Sequence, residues 1–188
     1  MVVRSSTSLD FEAAWSDLRE NSELIPQHSE VYSDRLIDYL PVSIIVEINP
    51  TQKSMPIRLA GSSIRDFIGF EITGQDLITN LGSTVFDTDD DDGWPVRFAY
   101  HDQPVGRYNK LVINFRSGME VECSLTALPL WGSKQKRLIL ILVEAGNPTA
   151  MQRDDTAALI SSRPDYAIYL DIGAGIPDLG RHDGDRAP

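Results

Sequence analysis

Between Met119 and Trp131 the chain alternates with a period of two. Val121, Cys123, Leu125 and Ala127 fall on one side, and Glu120, Glu122, Ser124 and Thr126 on the other. A pleated strand sends successive side chains to opposite faces, so this pattern predicts a half-buried strand. It is flanked by Lys110-Leu-Val-Ile-Asn-Phe115 and by Arg137 to Ala145, both read as strands. Ser117-Gly118 and Gly132-Ser-Lys-Gln-Lys136 supply the turns. Three strands joined this closely make an antiparallel meander.

Upstream, Val42-Ser-Ile-Ile-Val-Glu-Ile48 is rich in β-branched residues and bounded by Pro41 and Asn49-Pro50, which predicts a buried strand. Ile57 to Ala60 predicts a short second strand closing at Gly61. Two short helices with glycine stops follow. Ser62 or Ser63 can cap the first, which carries Ile64, Phe67 and Ile68 and stops at Gly69. Thr73-x-x-Asp76 opens the second, which carries Leu77, Ile78 and Leu81 and ends at Gly82.

The N-terminal region reads as helical. Phe11, Trp15 and Leu18 stand at i, i+4 and i+7, one stripe of a helix running from Leu9 towards Ile25. Thr7-x-x-Asp10 is its capping pattern and Pro26 its stop. A second short helix is predicted from Ser33 to Tyr39 and another from Trp94 to Tyr100. After Gly146-Asn-Pro148 comes a small apolar cluster, Tyr166 to Ile172, and an irregular end from Gly173.

Taken in order, these are a helical cap, two strands, several short helices and a three-strand meander. That order resembles a PAS domain, an α+β fold whose five-stranded antiparallel sheet carries short helices on one face. The residue pattern is similar to the stand-alone PAS-like proteins of alphaproteobacteria. The likeness is carried by Asp38-Tyr-Leu-Pro41, Ile57-Arg-Leu-Ala-Gly-Ser-Ser-Ile64, Phe67-Ile-Gly69 with Leu77 to Leu81, and Leu125-Thr-Ala-Leu-Pro-Leu130. The ending Leu170-Asp-Ile-Gly-Ala-Gly-Ile-Pro177 is similar as well. The implied organisation is a cap over 1–29, a PAS-like domain over 30–145 and a partly irregular extension over 146–188.

The resemblance implies sensing or protein contact, since PAS domains as a class sense small molecules, light or redox state, or mediate dimerisation. It places a ligand pocket between the sheet's inner face and the short helices, lined by Ile64, Phe67, Leu77, Ile78, Val121, Cys123 and Leu125. The bland alternative is that these residues simply fill the core. The stripe Phe11, Trp15 and Leu18 is a candidate dimer interface, or it packs on its own domain. The expected partners are a second copy of the chain and an unidentified signalling protein, which supplies the output; a small-molecule ligand is the third.

Charge and composition narrow the rest. Seventeen basic against 28 acidic residues give a net charge of −11, with no basic tail or arm. Nonspecific nucleic-acid binding needs phosphates neutralised, so neither nucleic acid nor an anionic membrane is an expected partner. One cysteine, Cys123, excludes an intrachain disulfide framework. The longest apolar run, Leu138 to Val143, is far short of the roughly 20 residues that span a bilayer. The N-terminus lacks a signal-peptide pattern, so the expected location is the cytoplasm.

No motif assigns an enzyme, a metal or a cofactor. Counting back from Gly93, an EF-hand loop would put Thr88 at position 1 and Ala99 at position 12, and both fail. The run Asp87 to Asp92 therefore reads as a solvated acidic loop. Leu170-Asp-Ile-Gly-Ala-Gly175 is similar to the glycine-rich motif of S-adenosylmethionine methyltransferases, but 13 residues follow Gly175, too few for the domain that motif opens. His101 lies near the place of a haem ligand in a haem-binding PAS domain, and reads better as a solvated histidine. Cys123 sits on a strand rather than on an early helix, which argues against a covalent flavin adduct and leaves noncovalent flavin open. His28, His101 and His182 show no zinc spacing. As an enzyme the chain would draw on Asp66, Asp76 or Asp102, and nothing marks them.

Overall fold

The computed structural model describes residues 3–19, 23–81, 102–115, 118, 120–146 and 159–177. Its strands are β1 (Ser43–Glu47), β2 (Ile57–Ala60), β3 (Val105–Phe115), β4 (Glu120–Trp131), β5 (Arg137–Ala145) and β6 (Leu159–Asp171). They form one antiparallel sheet in the order β2-β1-β5-β4-β3-β6. The helices are α1 (Ser6–Ser16), α2 (Ser62–Ile68) and α3 (Leu77–Leu81). The meander, β1, β2 and the two short helices stand where periodicity and turn residues put them, and the fold is PAS-like.

The sheet has six strands rather than five. β6 comes from the extension expected to be partly irregular, and it lies along β3, pairing Val105 with Asp171 through to Phe115 with Leu159. β3 accordingly starts at Val105 rather than Lys110. Ser161-Ser-Arg-Pro-Asp165 is polar and has no period, so it carries no strand signal. Between Lys110 and Leu111 the register slips from Tyr166 to Pro164. Pro164 has no N–H to offer a ladder, and an edge strand at a bulge is where a sheet tolerates it.

Both faces of the sheet are covered. On the inner face Ile44, Val46, Ile139, Ile141 and Ala127 pack against Ile64, Ile68, Ile72 and Leu77. On the outer face Ile45, Leu128, Leu130, Leu138, Leu140 and Leu142 pack under Phe11, Trp15, Leu18, Ile25, Val31 and Leu36. Each such burial is worth about 1.5–3 kcal/mol, so the N-terminal layer contributes as much core as the helices on the other side.

Several local expectations are corrected. α1 ends at Ser16, not near Pro26. The apolar stripe lapses after Leu18, and the Arg19 guanidinium donates to Ser16 O at 3.1 Å and to Ile172 O at 2.6 Å, tying the helix end to the chain beyond β6. The N-cap is Ser5 rather than Thr7, with Ser8 N donating to its hydroxyl at 2.9 Å. In place of a helix over Ser33–Tyr39 there are 3₁₀ turns at His28–Tyr32 and Ile37–Val42, the second containing Pro41. The α2 N-cap is Gly61, not a serine: a Cβ there would lie 2.2 Å from the carbonyl oxygens of Leu40 and Pro41. Gly69 ends α2 in the left-handed conformation, φ 88°, as a C′ glycine should. α3 is capped by Asp76 instead of Thr73, its Oδ1 accepting from Ile78 N at 2.9 Å. The acidic loop at 87–93, the helix at Trp94–Tyr100, the Gly82 stop, His101 and His182 lie outside the described residues.

Candidate functional site

The inner face of β3 is where polar side chains interrupt an apolar surface. The register sets Arg107 opposite Ala127, Asn109 opposite Leu125, and Arg107 beside Tyr169 of β6. Ala127, Leu125 and Tyr169 all belong to the inner core layer. Arg107 and Asn109, two residues apart on one strand, therefore project to the same face. Arg107 Nε donates to Asn109 Oδ1 at 3.1 Å. Arg107 Nη1 donates to the Tyr169 hydroxyl at 3.3 Å, and the guanidinium carbon lies 5.4 Å from that ring's centre. Asn109 is only 7% exposed. A guanidinium, an amide and a phenol thus meet on a face otherwise built of Val105, Ala127, Leu125 and Ile141.

These three residues escape sequence reading. Arg107 and Asn109 precede the strand predicted at Lys110, and Tyr169 lies on a strand that was not foreseen. The available signal was period two in Val105, Arg107, Asn109, Leu111 and Ile113, but two polar members in an inward row break the hydrophobic alternation.

The seven residues proposed to line a pocket lie on this same inner face. Ile64 and Leu77 are 3% exposed, with Phe67, Ile78 and Leu125 packed beside them. Val121 and Cys123 belong to a second cluster with Leu111, Ile113 and Phe115, and Phe67 and Leu125 touch both clusters. Phe67 meets Phe115 edge to face at 5.6 Å between ring centres. Burial pushes the Cys123 thiol up to about 12, so it is a small hydrophobe rather than a nucleophile.

Phe11, Trp15 and Leu18, the candidate interface, are 0%, 1% and 6% exposed, under the outer face of their own sheet. The α1 entry is held by polar contacts: Ser5 Oγ donates to Glu144 Oε1 at 2.7 Å, and the buried hydroxyls of Ser8 and Thr126 lie 2.6 Å apart. Beyond it is an outer-face groove of about 190 Å³, lined mainly by Lys110, Glu122, Ser124 and Glu144. Of the predicted pocket residues only Cys123 borders that groove.

The remaining chemistry is structural. Asp171 Oδ1 accepts from Gly173 N at 2.8 Å and Gly175 N at 2.9 Å, so the motif similar to a methyltransferase loop is an Asp-closed turn. Asp76 caps α3, and Asp66 and Asp102 are exposed. No cluster of three metal-ligating side chains occurs among the described residues. No described helix is long and apolar enough to cross a membrane.

A family model described as a PAS domain matches residues 3–89. That span holds α1, the 3₁₀ turns, β1, β2, α2 and α3, while β3 to β6 complete the sheet beyond it. No curated protein matches the chain.

Proposed function

This chain belongs to the PAS domain family, and from that premise we propose that it is a cytoplasmic sensory and regulatory protein acting by binding rather than by turnover. It takes a small molecule on the inner face of its sheet and passes the change to a protein partner that supplies the output. The observation supporting this is the Arg107–Asn109–Tyr169 cluster, set in an apolar layer beneath α2 and α3. A module serving only as a scaffold gains most from a wholly apolar layer, whereas polar groups at fixed positions serve recognition. The mechanism is a population shift: a ligand preferring one packing of the short helices biases the surface they present. A homodimer is part of the proposal. Because Phe11, Trp15 and Leu18 are buried, its contact would use other surfaces.

Native mass spectra of freshly purified protein, beside a denatured control, test this directly. An additional noncovalent mass on the native species supports ligand binding, and the monomer or dimer peak reports assembly. A bare mass, together with no thermal shift across a metabolite library, would shift the reading to an interaction module with a filled core.

A further inference from the structure

Resting on the reading that a protein partner supplies the output, we propose that an acidic segment of that partner docks on the end of the sheet formed by the β1–β2 and β4–β5 turns. β1 and β5 are neighbours, with Glu47 opposite Leu138, and Ile48 N donates to Arg137 O at 3.0 Å, so residues 48–58 and 131–137 share one end. These two stretches hold Lys53, Arg58, Lys134, Lys136 and Arg137 and no acid, in a chain where 28 acids outnumber 17 bases. Lys53, Arg58, Lys134 and Lys136 are exposed. The bordering carboxylates are engaged. Glu47, 8% exposed, lies between Arg58 and Lys136. Asp76 accepts from Met55 N and Ile78 N, and Glu30 from Gln27 N at 2.7 Å. Lys53 and Arg137 hold contacts of their own, so the excess positive charge is counted elsewhere. It comes from Arg58 and Lys136, two cations sharing one carboxylate, and from Lys134, which pairs with no described residue.

Screening makes the local charge the one that counts. At physiological salt the Debye length is about 8 Å, so an incoming segment meets this end of the sheet rather than the net charge of the whole chain. The turn's backbone points the same way. Lys134 and Gln135 are both left-handed, at φ 57° and 60°, and Lys136 N donates to Ser133 O at 3.3 Å. Such a type I′ turn is relaxed with Asn-Gly, so a lysine there carries backbone strain that a use for its side chain accounts for. Beside the turn, the Arg137 guanidinium carbon lies 3.3 Å from the centre of the half-buried Trp131 ring. Tryptophan and arginine are the residue types that most often anchor protein interfaces. A carboxylate-rich peptide fits this surface: it gives the lysines charge-assisted hydrogen bonds and lays its own stem on the indole.

The test is fluorescence anisotropy of the full chain with a labelled Asp-Glu decapeptide, against an Asn-Gln decapeptide and a short DNA duplex, at about 0.15 M salt. The variants are Lys134→Glu, Lys134→Gly and Arg65→Glu. Arg65 lies on α2, whose cap Gly61 donates to Ser43 O at the opposite end of β1, so its reversal changes net charge away from the turns. The acidic peptide should bind and the neutral one should not. Lys134→Glu should weaken binding by about tenfold, and Arg65→Glu should leave it unchanged. Lys134→Gly should melt no lower than wild type, because glycine accepts the left-handed backbone, and should still bind more weakly, which a merely structural lysine would not do. The proposal is overturned if no acidic peptide binds at about 1 mM, if both peptides bind alike, if the duplex binds more tightly than the peptide, or if Lys134→Glu and Arg65→Glu act equally. A ligand mass in the native spectra without peptide binding would leave the sensory reading standing while this one falls.

Discussion

The indole nitrogen of Trp15 donates to the carbonyl oxygen of Pro129 at 3.0 Å. The β3–β4 pairing runs from Asn114 opposite Glu120 to Arg107 opposite Ala127, and Pro129 lies two residues further along β4. Residues two apart on a strand direct their backbone groups alike. Trp131, two residues on, donates its N–H to Pro26 O at 2.9 Å. Pro129 has no N–H of its own, and its carbonyl is taken by the indole. α1 is anchored through that edge.

Trp15→Phe should keep most of the packing and orphan the Pro129 carbonyl, costing about 1–2 kcal/mol. Trp15→Ala also opens a cavity in the outer layer and should cost about 3–5 kcal/mol. Urea unfolding of both variants checks this. A Phe variant as stable as wild type would mean the hydrogen bond contributes nothing net.

Glu47 contributes to stability on the acid side. Burial alone would push its carboxyl up, but hydrogen bonds from Lys136 and Arg58, at 2.7 and 2.6 Å, and their charges hold it below the ordinary 4.5. A depressed folded pKa gives stability that is present above the unfolded value and lost as pH falls through the folded one. Glu47→Gln should therefore be less stable than wild type at neutral pH, the difference closing below about pH 4.5. Denaturation across that range measures it, and a pH-independent difference would contradict the assignment.

Asp76 joins two elements. Its Oδ1 caps α3 at Ile78 N, and its Oδ2 accepts from Met55 N at 2.8 Å, ahead of β2. Asp76→Ala removes the cap and leaves the Met55 donor unpaired, for a loss of about 2 kcal/mol. Thr73→Ala loses exposed contacts, from Ala60 N at 3.2 Å and to the Glu71 carboxylate, and should cost under about 0.5 kcal/mol. Melting temperatures of the two variants rank them, and the reverse order would restore Thr73 as the cap.

Cys123 is 3% exposed and its thiol is pushed up to about 12. The thiolate is the reactive form, so iodoacetamide at pH 8 should label native protein only as fast as it opens and should label unfolded protein promptly. Rapid labelling of the folded chain, followed by intact mass, would show an accessible thiolate.

What was legible in the sequence was local. β2 and β5 have the bounds that periodicity assigned them, because alternation and turn residues act within a few positions. Gly69 ended α2 where predicted, because a left-handed C′ position selects glycine from its immediate neighbours. The seven residues named for a pocket pack in two clusters of buried side chains, and whether they line a ligand rests on the ligand experiments. The reading lost ground where a non-local contact outweighed a local one. Gly61 took the α2 cap because two carbonyls twenty residues upstream crowd it, and α1 stopped early because Arg19 is held by Ile172.

By itself the sequence determined the meander and the helix that Gly69 ends, since both depend on neighbours along the chain. Only the tertiary structure decided that β6 lies along β3 and that the aromatic stripe of α1 faces its own sheet. It also brought Arg107 to Tyr169 across 62 positions of sequence. A strand's edge can pair with many segments, and which one it takes follows from burial and hydrogen bonds summed over the whole fold. The polar cluster on the inner face therefore belongs to the folded chain, not to any stretch of it.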